Sequence, residues 1–248
     1  MKYNFYYMKK KNNVVLIVLA AYNAEKTLKL SIESILNQTY KKWKLILIDD
    51  GSNDNTLKII NSYKDLKKIK IIRNKKRLGL TKSLNKAIRK ESCTFIARMD
   101  ADDFSFKKRL EKQVKFMLNN KNVSLLGTNV NYYDNHNNFI ARSNLPVNNF
   151  DIKNLIIKKN PFVHSSIIFR KEFYDELGGY NEFFFNAQDY DMWLRGKENY
   201  EYRNLKGRFL NHKMKKHITF VKGLYGILAM ITNLRFDKKF HISVIWIF

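Results

Sequence analysis

Carboxylates crowd two short stretches of a 248-residue chain whose formal charge is +25. In "LILIDDGSNDNT" (45–56) an apolar run ends on Asp49 and Asp50, and in "MDADD" (99–103) another ends on Asp100, Asp102 and Asp103. Carboxylates at alternate positions offer oxygen ligands, which suit Mg²⁺ or Mn²⁺ with water and substrate phosphate completing the shell. The competing role is local, because aspartates also enrich the first turn of helices and offset the helix dipole there. Like charges on one rim repel unless a cation or ligand offsets them, so several such acids together favour a bound group.

These acids need strands to aim them. Residues 14–19, 45–48, 69–72 and 94–97 are short continuous apolar runs, the pattern of strands buried on both faces. Between and after them, apolar residues recur at helical spacing: Leu28, Ile32, Ile35 and Leu36, then Leu57 and Ile60, then Leu80, Leu84, Ala87 and Ile88, then Phe106, Leu110, Val114, Met117 and Leu118. Asn23, Asp54 and Ser105 stand where helix N-caps are expected. Four strand–helix alternations in about 120 residues predict a parallel sheet covered by helices on both faces. Ligands of such sheets bind beyond the carboxyl ends of the strands, where Asp49, Asp50 and Asp100 to Asp103 would lie.

The pattern changes after residue 120. Residues 123–128 and 129–133 read as shorter strands, 150–158 as a helix and 165–170 as a strand. Residues 171–177 read as a short helix stopped by Gly178 and Gly179, and 188–197 as another helix.

Composition narrows the function. A hydrophobic content of 45% supports a packed core and excludes wholesale disorder. The single cysteine, Cys93, rules out an intramolecular disulfide and fits a reducing, cytoplasmic compartment. The first apolar run, 14–21, is too short for a signal-peptide core with its cleavage site, and no run reaches the roughly 18 residues of a spanning helix. No Walker-type or G-x-G-x-x-G loop follows the first strand, where "AYNAE" stands instead, so neither a P-loop NTPase nor a dinucleotide dehydrogenase is supported. The positive charge suits nucleic acid, an anionic membrane surface or a phosphate-bearing substrate, although a bias toward Lys, Asn and Ile also contributes. Lysines spread along the chain, without zinc-finger or aromatic–basic RNA-binding spacing, argue against a nucleic-acid partner.

"VVLIVLAAYNAEKTLKLSIESILNQTYKKWKLILIDDGSNDNT" resembles the opening of the glycosyltransferase family 2 nucleotide-sugar-binding region. "KKRLGLTKSLNKAI", "FIARMDADD", "HSSIIFRKEF", "LGGYNE" and "AQDYDMWLR" resemble its later blocks in the family's order, across about residues 13–196. The resemblance implies an α/β GT-A fold, with a Rossmann-like, mostly parallel sheet flanked by helices and a mixed acceptor-side half. It implies a nucleotide-diphosphate-sugar donor, a divalent metal (Mn²⁺ or Mg²⁺), a glycan or lipid-linked acceptor, and inversion at the anomeric carbon. By position, Ala20, Tyr22 and Glu25 would line the nucleotide pocket. Asp50 would accept a hydrogen bond from an imide-bearing base such as uracil, and Asp49 would shape the loop or touch the ligand. Arg77, Gly79 and Lys82 would approach base and diphosphate, or form a solvated basic face. Asp102 would ligate the metal and Asp100 would contact ribose or metal, with Asp103 behind them or capping a helix. Asp189 matches the family's general base, and Gln188 replaces the glutamate usual before it. His164 falls in a block near the donor sugar. Asp191 would be structural, and Trp193 either core or sugar-facing.

On this reading residues 1–12 are a flexible leader and 13–200 the catalytic domain, divided into a nucleotide-sugar half (13–120) and an acceptor half (121–200). Residues 201–248 form a basic, apolar, helical tail able to lie on an anionic membrane surface, giving peripheral attachment at the cytoplasmic face. A rival reading is a nucleotide-sugar-binding subunit without catalysis.

Overall fold

Four parallel strands carry the first half of the chain: β1 (Val15–Ala21), β2 (Trp43–Asp49), β3 (Ile69–Arg73) and β4 (Phe95–Asp100), in spatial order β3-β2-β1-β4. The computed structural model describes residues 14–214. Strand side chains alternate between faces, and here both faces are covered. Leu16 and Val18 of β1 join Ile46, Ile48 and Ile96 in one core layer. Val15, Ile17 and Leu19 join Leu45, Leu47, Phe95 and Met99 in the other. Each fully buried Leu or Ile contributes about 1.5–3 kcal/mol, so a sheet covered on both sides requires the unbroken apolar runs that the sequence displays.

The second layer is closed by α1 (Leu28–Leu36), α2 (Thr56–Asn61) and α4 (Arg109–Asn119), and the first by α3 (Leu80–Ile88), α5 (Asn149–Ile156), α6 (Lys171–Glu176) and α7 (Gln188–Gly196). Two expected caps lie elsewhere. Asn23 adopts φ +48° in the turn before α1, where its Oδ1 accepts from Asn53 N–H. Ser105 belongs to the two-residue strand β5 (Phe104–Ser105), and its hydroxyl accepts from the Gln38 amide. Asp54 accepts the N–H of Thr56, the first residue of α2, at 2.9 Å.

Beyond β4 the sheet turns mixed. β6 (Val123–Tyr133) is one continuous strand where two short ones are expected. The expected strand at 165–170 opens as a 3₁₀ turn (His164–Ser166) and becomes β8 (Ile168–Arg170), antiparallel to both β4 and β6. A short outer strand, β7 (Phe139–Arg142), pairs with β6.

The largest departure from expectation is β9 (Glu201–Lys213). Assigned from sequence to the tail, it lies inside the sheet, parallel to β6 on one side and antiparallel to β5 on the other. The sheet therefore takes in residues up to 213, beyond the boundary at 200 expected from sequence. The strand is hard to read because one of its inward residues is polar. Tyr202, Asn204 and Leu210 are buried, and the Asn204 amide donates to the carbonyls of Pro146 (2.8 Å) and Pro161 (3.2 Å). Residues 1–13 and 215–248, with the leader and the membrane-facing tail expected there, lie outside the described residues.

Removing Tyr202 and Leu210 alone forfeits roughly 5–10 kcal/mol by core-truncation values, which is as large as the whole stability of an ordinary domain. A chain ending at residue 200 is expected to lose its cooperative thermal transition, and one ending at 214 to keep it. A normal melting curve for the shorter chain would refute the placement of β9.

Candidate active site

The pleat separates the two adjacent aspartates at the end of β2, Asp49 in the strand and Asp50 just after it. Asp49 continues the series of Leu45 and Leu47, and Asp50 that of Ile46 and Ile48. Asp50 is 4% exposed and organises the loop after β3. Its Oδ1 accepts from the Leu78 N–H (2.9 Å), the Asn74 amide (2.8 Å) and the Ser83 hydroxyl (2.9 Å), and its Oδ2 from the Gly79 N–H (2.9 Å). Each carboxylate oxygen carries two lone pairs, so with three donors on Oδ1 and one on Oδ2 the spare acceptor capacity is on Oδ2. Asp49 accepts from Ser52 N–H at 3.1 Å through Oδ1, while its buried Oδ2 has no hydrogen-bond donor among the described residues and faces Arg73 Nε at 3.9 Å.

Gly51 makes this junction possible. It adopts φ +76°, and a Cβ there would stand 2.7 Å from the backbone of Lys76 and Arg77. Only a glycine lets the loops after β2 and β3 approach so closely. Arg77 then lies over the ring of Tyr22, 4.1 Å from its centroid, joining the end of β1 to the same rim. Ala20 is half-buried at the end of β1, and Lys82 is exposed on the first turn of α3. Glu25 faces another neighbour, accepting from the N–H and side-chain amide of Asn55.

At the end of β4 the acids meet cations from beneath. Arg98 is 1% exposed, and its guanidinium donates to Asp100 Oδ1 and to the carbonyls of Val18 and Met99. Arg109, fully buried, donates to the carbonyls of Ser165 (2.6 Å) and Arg98 (3.3 Å). Burial pulls the Arg109 guanidinium down to about 10, against the opposing charge of Asp103.

Asp103 is held by β9. Its Oδ1 accepts from Lys213 N–H at 2.8 Å, and its Oδ2 is 2.9 Å from Nδ1 of His212. The pairing of Phe104 with Asn211 brings these residues together, since one step further along the antiparallel register sets Asp103 beside His212. Burial lowers the affinity of His212 for a proton, but its hydrogen bond to Asp103 and the charges of Asp103, Asp100 and Asp102 outweigh that and raise its pKa. Ligand atoms of Asp100, Asp103 and His212 lie within 4.8 Å of one another, the metal-capable group among the described residues. Asp102, assigned to the metal from sequence, falls outside that trio but close enough to act on His212. His212 was not singled out from sequence, because its strand was not recognised.

Asp189 enters from the first turn of α7 and is 9% exposed. Asn160 donates to its Oδ2 at 2.9 Å. Ala187, just before the helix, holds a left-handed φ of +63°, which costs a non-glycine residue about 1–2 kcal/mol. Asp189 and Asp100 both lie near the buried Tyr180, whose hydroxyl is pushed far up chiefly by burial and then by these two charges against Arg98. Asp189 and Asp100 are thus both within electrostatic reach of Tyr180. His164 pairs with the Tyr180 hydroxyl at 2.9 Å and packs edge-on against Tyr180 and Trp193. Trp193 is fully buried in the core. Asp191 accepts from Arg195, which also reaches the carbonyls of Leu177 and Gly179 and so staples α7 to the turn after α6.

The family model described as Glycosyl transferase family 2 matches residues 16–178. WbnJ, an O-antigen biosynthesis glycosyltransferase of Escherichia coli, is 33% identical over 234 residues, covering 92% of this chain and 90% of its own. Staphylococcus aureus TarS, solved as residues 1–349 in complex with UDP, superposes with a TM-score of 0.70 at 16% identity over 89% of this chain and 65% of its own. The mannosyltransferase PcManGT of Pyrobaculum calidifontis, in complex with GDP-Man and Mn²⁺, superposes with a TM-score of 0.68 at 15% identity over 90% of this chain and 64% of its own. The chain spans about two thirds of the length of either solved protein. At these identities the structural likeness bears on the fold, which is the GT-A arrangement expected, and the family match and WbnJ bear on descent. The chain belongs to glycosyltransferase family 2.

Proposed function

We propose that this protein transfers a sugar from a UDP-sugar to a hydroxyl of a glycan or lipid-linked acceptor in polysaccharide assembly, with inversion at the anomeric carbon. The reading is carried by the cluster of Asp100, Asp103 and His212, whose ligand atoms lie within 4.8 Å of one another at the end of β4, where α/β sheets take ligands. WbnJ, named for O-antigen biosynthesis, supports the polysaccharide setting. TarS with UDP and PcManGT with GDP-Man support a nucleotide-linked donor.

The nucleotide lies against Ala20, Tyr22 and the loop 77–79, and the spare acceptor capacity of Asp50 Oδ2 takes the imide N–H of the base. Arg77 and Lys82 supply positive charge to the diphosphate, which the general electropositivity of the chain draws in. Asp189 takes the proton of the acceptor hydroxyl as that oxygen bonds to the anomeric carbon and the bond from that carbon to the diphosphate oxygen breaks. One base on the attacking side is what a single inverting displacement needs, and such a base is typically worth about 10²–10⁴-fold. Asp100 and His212 of that cluster, with Asp102 as the family resemblance implies, are the residues that would hold a divalent cation. Where Nδ1 of a neutral His212 donates to the Asp103 carboxylate 2.9 Å away, Nε2 is the ring nitrogen that would face a cation. Carboxylates with one imidazole fit Mn²⁺ better than Mg²⁺, which prefers an all-oxygen shell; PcManGT is a Mn²⁺ complex. When bound, the cation supplies Lewis-acid neutralisation of the departing diphosphate.

Membrane contact is part of the proposal only through residues 215–248. No helix among the described residues is long and apolar enough to cross a membrane.

Asp189→Asn is expected to bind UDP-sugars as the native protein does and to transfer at least about 100-fold more slowly. Thermal-shift titration and a transfer assay read the two quantities, and normal transfer would remove Asp189 as the base. A ligand that binds only the folded state raises the melting temperature. UDP with Mn²⁺ should therefore shift native protein more than UDP alone, and His212→Ala or Asp102→Asn should erase the Mn²⁺ increment. An increment unchanged in both variants would place the cation elsewhere.

A further inference from the structure

Asp189 is a buried carboxylate, and among the described residues the hydrogen-bond donor set against it is the side-chain amide of Asn160. Asn160 is itself fixed from three directions. Its Oδ1 accepts the N–H of Phe162 at 3.1 Å, which settles which end of the amide faces Asp189. Pro161 follows it and restricts its backbone to extended conformations. The Pro161 carbonyl accepts from the buried amide of Asn204 on β9. The base-bearing helix is tied to the same segment a second time, because the Tyr190 hydroxyl donates to the Ile156 carbonyl at the end of α5 at 2.6 Å.

We propose that Asn160 is the positioning residue for the general base: it holds Oδ2 of Asp189 as a fixed acceptor and leaves Oδ1 as the oxygen that takes the acceptor proton. The inference rests on the reading of Asp189 as the base. A carboxylate with one oxygen anchored cannot rotate about its terminal torsion, which is otherwise broad and roughly two-fold. Proton transfer requires the accepting oxygen within about 2.6–3.2 Å of the hydroxyl, so a base free to rotate is misplaced for much of the time. Asn160 touches neither reacting partner in this scheme and acts through Asp189 alone.

The test separates donation from mere packing. Asn160→Asp keeps the shape of the side chain but replaces the N–H donor by a second carboxylate against Asp189, whereas Asn160→Ala removes the side chain. UDP release from UDP-glucose, UDP-galactose and UDP-N-acetylglucosamine with Mn²⁺ and alkyl-glycoside acceptors gives kcat and KM. Melting curves check folding, and a crystal structure of Asn160→Ala gives the Asp189 rotamer. Both variants should keep their melting temperature within a few degrees and their donor KM. Each should lose kcat by about 10–100-fold, with Asn160→Asp at least as impaired as Asn160→Ala. In an Asp189→Asn background neither should cost anything further. An active Asn160→Asp, additive losses in the Asp189→Asn background, or an unmoved Asp189 carboxylate in Asn160→Ala would each overturn the proposal. Full activity of Asp189→Asn by itself would instead remove the base assignment on which it rests, so the two failures are told apart.

Discussion

Carboxylates brought to one rim of a sheet repel one another and lose water, and the rest of this molecule is arranged around that constraint. An isolated buried charge costs several kcal/mol unless it is paired and hydrogen-bonded. Each acid here has its own answer. Asp100 rests on the buried Arg98. Asp103 takes Lys213 N–H and His212. Asp50 takes two backbone N–H groups and two side chains, and Asp189 takes Asn160. The cations below are themselves placed where an apolar residue would ordinarily stand. Arg98 interrupts the run of β4 between Ala97 and Met99 and points into the layer of Leu16 and Val18, so the sheet gives up part of its core to support the rim.

The same accounting explains which parts of the fold were legible in the sequence. The four parallel strands could be read because both of their faces are apolar, and the acids could be read because each follows such a run directly. β9 could not, because its inward positions include Asn204 and its outward ones carry Glu201, Arg203, Lys206 and Arg208, so neither the period nor the composition marks a strand. With β9 went His212. Its partner Asp103 is 109 residues away, and only the short β5–β9 pairing joins them. Asn160 is hidden for a related reason, since an Asn-Pro pair in a loop reads as turn chemistry and its partner lies 29 residues on. The alternating inward positions of Tyr202 and Asn204 were the available signal for β9, and a hydrophobicity count discards the second of them.

Asp49 and Asp50 show how topology resolves what spacing leaves open. As neighbours in the chain they look interchangeable, but a strand sends consecutive side chains to opposite faces. Asp50 falls on the side of α3 and can gather the loop that precedes it. Asp49 falls on the other side, where Ser52 N–H reaches it. The division of roles follows from parity, and Gly51 then lets the loop at 76–77 close over the pair.

That closure reaches the far side of the site. The first turns of α3, which begin at the loop gathered by Asp50, also hold the segment that leads to Asp189. Thr81 donates to the Phe184 carbonyl at 2.6 Å, and the Asn85 amide donates to the Tyr180 carbonyl (2.8 Å) and to Glu182 (2.9 Å). The chain then passes through the strained Ala187 into Asp189. The helix that begins at the Asp50 loop therefore directly grips the segment that runs into Asp189. Packed interiors transmit small shifts because they leave little room for them. Asn160 fixes the same carboxylate from the opposite side, through α5 and β9. Asp189 is thus located by two supports, one running from the Asp50 loop through α3 and one through α5 and β9.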